Sequence, residues 1–439
     1  MLSATRPTLL QRSSSLPNLV NSLADRKHYP RSLENFSSEA MALHNQLIQN
    51  VKRYECDITV GELEKIIRFA KEQFERIKSN ILYQIPKGFD GLARTLFING
   101  DQKTLFVPLK KQLVNRGLQN EVKKGILIQM TPAPSVRLIA KISRRLGFLD
   151  SEKLEHPDWQ IRKELNAAMA QHEITTLKRL NAKSNVLQVI DSCLYLGTKK
   201  QESVDKMVLF TELFSSNLFQ ACYEHRLGVL SEREKIEIVN QIAKGLAATH
   251  GEQIVHKDIK LENVLISRSE HLAVVLADYG HSRPLGVVHE GLDGRGSYFA
   301  WPPEVLEGII NHGNLSLPSN YGVDLWAFGV LIHEMFLGDV EWMGAIEQIK
   351  NIFLVNYRRE KFLDPNDPLI EEKKKSIDDQ KLLMQIEFQK FTEKVKALEE
   401  EAIDTKNVMM LIIQRLLRYD SSKRISAKEV VALLEGYRM

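Results

Sequence analysis

An acid, a base and an amide stand at spacings of two and three in IVHKDIKLENVLI, residues 254–266: Asp258, Lys260 and Asn263. Ile254-Val255 and Val264-Leu265-Ile266 on either side read as short buried strands. Burying the polar groups between them is costly unless something pairs with them. A second apolar run, Val274 to Ala277, breaks into Asp278-Tyr279-Gly280. Asp258, Asn263 and Asp278 are therefore expected at the ends of two short, adjacent strands. Carboxylate and amide oxygens so placed suit Mg²⁺, a hard cation that usually keeps phosphates in its shell. Asp258 can then orient or deprotonate a hydroxyl, and Lys260 can neutralise charge on a group in transfer.

The elements that must position these residues differ along the chain. Residues 1–35 are rich in Ser, Pro and Arg and read as a disordered tail. Residues 36–90 form a helical extension with apolar stripes Ala40, Leu43, Leu47, Val51 and Leu63, Ile66, Ala70; Thr59 to Glu62 reads as a capping box. The plain reading is a helical hairpin packed on the next domain, with a partner contact as the alternative. From Arg94 strand-like runs follow (RTLFI, KTLFVPLKKQLV, EVKKGILIQM, VRLIAKIS), broken by turn residues. A helix is predicted from Trp159 to Leu180, and beyond Leu213 the chain is largely helical. The fold class is therefore α+β: a small antiparallel β lobe with one main helix (91–213) and a larger helical lobe (214–439), with a cleft between them.

The chain holds 439 residues, 43% hydrophobic and 26% charged, which predicts a mostly globular protein of more than one domain. A net charge of +4 gives no support to nucleic-acid or membrane-surface binding driven by bulk charge. No apolar run approaches the roughly 20 residues of a membrane span. Cys56, Cys193 and Cys222 are dispersed without metal-ligand spacing, which suits a reducing compartment. A cytoplasmic protein is expected, with delivery into another cell as the alternative.

HKDIKLEN and DYG resemble the catalytic loop and metal-binding triplet of eukaryotic-type protein kinases, Ser/Thr enzymes in particular. The resemblance covers about residues 105–437. It implies a bilobal kinase fold in which Asp258 faces the accepting hydroxyl, Lys260 the phosphate, and Asn263 and Asp278 the metal. Lys141, closing RLIAK, stands like the lysine that holds the α/β-phosphates, and Glu173 like its helical partner; a solvated helix acid is the bland alternative for Glu173. NRGLQNEV resembles the Gly-rich loop, with Gly117 matching one of three glycines. MVLFTELF resembles the hinge, with Thr211 as gatekeeper and Glu212 to Phe214 presenting backbone to adenine, while Val122 and Leu265 sandwich the base. Ile139 stands where the family usually has a small alanine, so a tighter slot is expected.

Downstream, GSYFAWPPE resembles the end of an activation segment, Asp324 the brace of the catalytic loop with His256, and Arg424 the partner of Glu304. Ser297 occupies the place of the hydroxyl residue that contacts the catalytic Asp and Lys in Ser/Thr enzymes. The implied activity is transfer of the ATP γ-phosphoryl group to Ser/Thr hydroxyls of a protein substrate, with ATP and Mg²⁺. A catalytically inactive, kinase-shaped binding module is the alternative; small-molecule kinases lack the activation-segment ending. Lys257 replaces the Arg that usually precedes the catalytic Asp in loop-regulated members, so weak dependence on loop phosphorylation is expected.

Residues 360–405 read as a charged insert. Met384, Phe388, Phe391, Val395, Leu398 and Ala402 step by four and three, a seam shorter than a coiled coil needs. A helix folded back on the helical lobe is expected, and a helical partner at 384–402 is the alternative.

Overall fold

The computed structural model describes residues 37–51, 60–76, 82–84, 97–99, 103–116, 120–130, 135–148, 153, 159–199, 202–268, 271–287, 297–312, 319–361, 367–402 and 407–437. The N-terminal tail, Thr59, Cys56, Gly117 and residues 288–296 of the activation segment lie outside the described residues.

Alternating apolar residues build a seven-stranded antiparallel sheet in the order β1-β2-β3-β4-β5-β7-β6. Its strands are β1 (Leu82–Gln84), β2 (Phe97–Asn99), β3 (Thr104–Arg116), β4 (Asn120–Gln129), β5 (Ser135–Arg145), β6 (Val189–Lys199) and β7 (Glu202–Glu212). Helices α1 (Ser38–Val51) and α2 (Val60–Arg76) lie on one face of it. Ala40, Leu43, Leu63 and Ile66 are buried there against Leu105, Val107, Ile126 and Val136. These four residues of the apolar stripes are thus covered by the chain's own sheet, while the side chains of Leu47, Val51 and Ala70 lie outside the described residues.

Further along the sheet a second apolar cluster holds Phe97, Phe106, Leu127, Ile139, Val208 and Phe210. Its rings are in contact, with Phe106 and Phe210 centroids 4.7 Å apart. Gly125, the register partner of Ile139, makes this possible. A Cβ there would stand 2.2 Å from the Phe106 ring.

Helix α3 (Trp159–Leu180) has the predicted bounds. Ala170, Glu173, Ile174, Leu177 and Leu180 form its buried face at helical spacing. After β7 the chain crosses to the helical lobe through β8 (Ser216–Asn217), α4 (Leu218–Tyr223) and α5 (Glu232–Gly251). Ser231 and Glu234 close a reciprocal capping box at the start of α5. Next come β9 (Ile254–Val255), β10 (Val264–Arg268), β11 (Leu272–Leu276) and β12 (Arg283–Pro284), which form small antiparallel pairings. Helices α6 (Pro303–His312), α7 (Tyr321–Leu337), α8 (Met343–Lys361), α9 (Ile370–Glu400), α10 (Val408–Leu416) and α11 (Ala427–Tyr437) complete the lobe.

α7 is apolar on every side and runs through the core. The insert forms α9, which folds back as expected: Met384, Phe391 and Val395 are buried, and Phe391 packs 6.0 Å from Trp326 and 6.1 Å from Trp342 by ring centroids. From Met384 to Leu398 the seam that offered a place for a partner helix packs on the chain's own core, and Ala402 beyond it is exposed.

Candidate active site

The catalytic-loop segment hangs between β9 and β10, and Asp278 follows β11 by two residues. Local turns set the spacing. Leu261–Asn263 form one turn of 3-10 helix, and the Ala277 N–H donates to the Asn263 carbonyl at 2.9 Å, tying the two strand ends together. Asp258, Lys260, Asn263, Asp278 and Ser297 all line one cavity of about 620 Å³.

Asp258 is 4% exposed and every contact on its carboxylate holds it as an anion. Lys260 Nζ donates to Oδ2 at 2.7 Å and Asn263 Nδ2 to the same oxygen at 2.7 Å. The Ser297 N–H and hydroxyl donate to Oδ1 at 2.8 and 3.0 Å. Burial pulls the Asp258 pKa up, but the Lys260 ammonium and its hydrogen bond, with the imidazoles of His281 and His256, hold it below the usual carboxylate value. Lys260 also donates to Ser297 Oγ at 3.0 Å, so acid, cation and hydroxyl form one triangle. Asn263 spends amide hydrogens on the Asp258 carbonyl and carboxylate, which assigns its Oδ1 as the acceptor atom.

The loop is braced from below. Asp324, fully buried near the start of α7, accepts the backbone N–H groups of His256 and Lys257 at 2.7 Å each, and lies 3.0 Å from His250 Nε2. His256 Nδ1 accepts the Asp258 N–H at 3.3 Å while its Nε2 reaches the Ala277 carbonyl at 3.1 Å, which fixes the tautomer with the proton on Nε2. Arg424, with a fully buried side chain, grips Glu304 through two parallel bonds of 2.7 and 2.8 Å. Tyr279 is wholly buried, its hydroxyl 2.8 Å from Thr249 Oγ1, and burial pushes its pKa up.

In the β lobe the structure corrects the sequence reading twice. Lys141 does not reach Glu173. Its Nζ lies 4.2 Å over the Phe97 ring, on the face of β5 that Ile139 shares with the phenylalanine cluster. Side chains alternate along a strand, so residues three apart face opposite ways, and Arg144 takes the place expected of the lysine. Arg144 Nη1 stands 2.8 Å from Glu173 Oε2 and Nη2 3.3 Å from Asp278 Oδ1. The same alternation removes the expected obstruction at Ile139: Ile139 packs into the apolar cluster, and the small Ala140 pairs with the gatekeeper position Thr211. Three cations crowd this strand end, and which of them faces Glu173 depends on which face of β5 packs on the phenylalanine cluster.

Glu173 is 4% exposed, and burial pushes its carboxyl up to about 7 despite the neighbouring guanidinium; Asp278 adds to the rise. Burial pulls Arg144 the other way, but two carboxylates keep its pKa above the ordinary value. Glu173 is thus a buried ion-pair partner and no solvated helix acid. One residue earlier, His172 Nε2 stands 2.7 Å from the Ser282 carbonyl, so α3 also holds the segment after Asp278.

Thr211 is 1% exposed and its hydroxyl donates to the Glu212 carbonyl at 3.1 Å. Glu212 ends β7 and is exposed, and Phe214 is half-buried in the crossing to β8. Val122 pairs with Ile142 across β4 and β5, and Leu265 pairs with Asn217 across β10 and β8; both are half-buried.

The donor set fits a magnesium ion. Asp278 has a side chain one-third exposed at the cavity edge, and Asn263 offers an amide oxygen beside it. Among the described residues no group of three or more His, Cys, Asp and Glu side chains forms a self-contained metal cage. Among the described residues, no helix is long and apolar enough to cross a membrane.

A family model described as Protein kinase domain matches residues 158–433. The chain is 31% identical over 173 residues to a probable serine/threonine-protein kinase MARK-B of Dictyostelium discoideum, covering 39% of this chain and 22% of that protein. It is 29% identical over 245 residues to the human cyclin-dependent kinase-like 2, covering 55% of this chain and 43% of the relative. Cyclin-dependent kinase B2-1 of Oryza sativa subsp. japonica is 27% identical over 279 residues, with 60% and 74% covered. The chain spans less than half the length of the first two relatives. With more than half of its residues matched and two lobes meeting at this cavity, the chain belongs to the eukaryotic-type protein kinase family.

Proposed function

We propose that the chain transfers the γ-phosphoryl group of ATP to a serine or threonine hydroxyl of a protein substrate. The observation that supports this most is the Asp258 carboxylate, held ionised by Lys260, Asn263 and Ser297 at the wall of a cavity that also contains Asp278. Asp258 orients the acceptor hydroxyl and takes its proton as the oxygen bonds to the γ-phosphorus. The bond from that phosphorus to the bridging oxygen breaks, and ADP leaves with the electron pair. Lys260 faces the charge on the group in transfer. Asn263 and Asp278 would hold Mg²⁺, which would neutralise phosphate charge and align the triphosphate. Thr211, Glu212, Phe214, Val122 and Leu265 are proposed to line the adenine site, and Gly117 to lie in the phosphate loop.

Ser/Thr preference rests on Ser297, which bridges Asp258 and Lys260 as expected for enzymes of that class. The second reading is a kinase-shaped binding module without transfer, and the observation on its side is the departure of Lys141 from the cleft. Incubation of the full chain with labelled ATP, Mg²⁺ and generic acceptor proteins, followed by phosphoamino-acid analysis, separates the readings. Label on serine or threonine is expected. Label on tyrosine alone would overturn the specificity, and no label with several metals and acceptors would favour the binding module.

A further inference from the structure

Lys141, Arg144 and Arg145 crowd the end of β5. Arg144 makes ion pairs from this strand to both Glu173 and Asp278, at 2.8 and 3.3 Å. The strand is held in this register from both sides. Lys141 lies between Lys123 and Phe210 in the sheet, and Phe210 belongs to the cluster of Phe97, Phe106 and Ile139. Bringing Lys141 into the cleft needs a slip of one residue, which would turn Ile139 out of that cluster. The segment after Asp278 is shaped to the same guanidinium: a Cβ on Gly280 would stand 3.2 Å from Arg144 Nη1. The family match begins at residue 158, downstream of β5, so this strand lies outside the matched pattern.

Resting on the phosphotransfer reading, we propose that Arg144 is the cation that binds and orients the phosphates of the nucleoside triphosphate, and that Lys141 takes no part. Arg144 lines the cavity with Asp258, Asn263 and Asp278. Its ion pairs with Glu173 and Asp278 differ in kind. Glu173, with a side chain 5% exposed, is the permanent anchor; Asp278, one-third exposed and at the longer distance, is the contact that incoming phosphate and metal replace. A planar fork of five donors can hold a carboxylate along one edge and meet phosphate oxygens along another, which a lysine ammonium cannot do with the same geometry.

The test compares dissociation constants for ATP and for adenosine, which has no phosphates, in the full chain and in Arg144→Gln, Arg144→Lys and Lys141→Met. Arg144→Gln is expected to weaken ATP about 10- to 100-fold, the worth of a charge-assisted hydrogen bond, and to leave adenosine within about twofold. Arg144→Lys recovers part of the loss, and Lys141→Met keeps both constants within about twofold. Equal loss of ATP and adenosine in Arg144→Gln would reduce Arg144 to a structural role and overturn the proposal. A selective loss of ATP in Lys141→Met would overturn it too, even if Arg144→Gln failed to fold. Wild type that binds neither nucleotide nor transfers phosphate refutes the kinase reading itself, a result visible without any variant.

Discussion

At residue 257 the backbone enters the left-handed region (φ 66°) and carries a lysine, where only glycine sits without strain. Burial pushes this ammonium down to about 8, Arg283 adds to the fall and Asp324 opposes it. The sign of the consequence follows from linkage. Below about 8 both the folded and the unfolded chain carry the proton, and burying it is a constant cost. Between about 8 and the ordinary lysine value of 10.5 the folded chain has released the proton and the unfolded chain has not, so this cost fades as pH rises. Lys257→Met is therefore expected to be more stable than wild type at pH 7, with the difference shrinking towards pH 10. Urea unfolding at both pH values measures it, and a gap that stays constant or widens would contradict the assignment. Asp278 occupies the same backbone region at φ 62°. Strain at such residues is kept where surrounding structure fixes them, and here Arg144 and the turn at Tyr279–His281 do so.

Among the elements, α9 shows how an insert becomes part of a core. Its charged residues face water, and one stripe puts Phe391 between Trp326 of α7 and Trp342 before α8. Truncating a fully buried aromatic of this kind costs about 3–5 kcal/mol, so Phe391→Ala is expected to lower stability by that amount in denaturant unfolding. A loss below about 1 kcal/mol would mean that α9 is only loosely docked. The elements also show what could be read from sequence. The loop around Asp258 was legible because Asp258, Lys260 and Asn263 bond to one another within six residues, whereas Ser297, the other partner of Asp258 and Lys260, comes from far along the chain. α3 was legible from its periodicity and from the apolar residues around Glu173. Strand β5 was not, because Lys141 and Arg144 are equivalent in type and nearly so in position. What separates them is the packing of Phe97 and Phe106, far away in sequence, and no local pattern contains that information.

Across the whole molecule, the two lobes meet through a few buried charges. Arg144 of the sheet, Glu173 of α3 and Asp278 of the helical lobe share one cluster, and the Leu187 N–H bonds the Leu276 carbonyl nearby at 2.9 Å. Lys257, a half-buried point charge with a lowered pKa, is poorly suited to grip a loop phosphate. Phosphatase treatment of active protein is expected to change its activity by less than about tenfold, and a larger fall would show that loop phosphate orders the site. The role of the Asp258 carboxylate is tested most directly by the rate of labelled phosphate incorporation from ATP and Mg²⁺ in wild type and in Asp258→Ala, with folding checked by circular dichroism. Transfer by wild type and at least about a 100-fold loss in the variant are expected, with ATP affinity retained, because this group acts on the hydroxyl. Equal rates in the two proteins would contradict it.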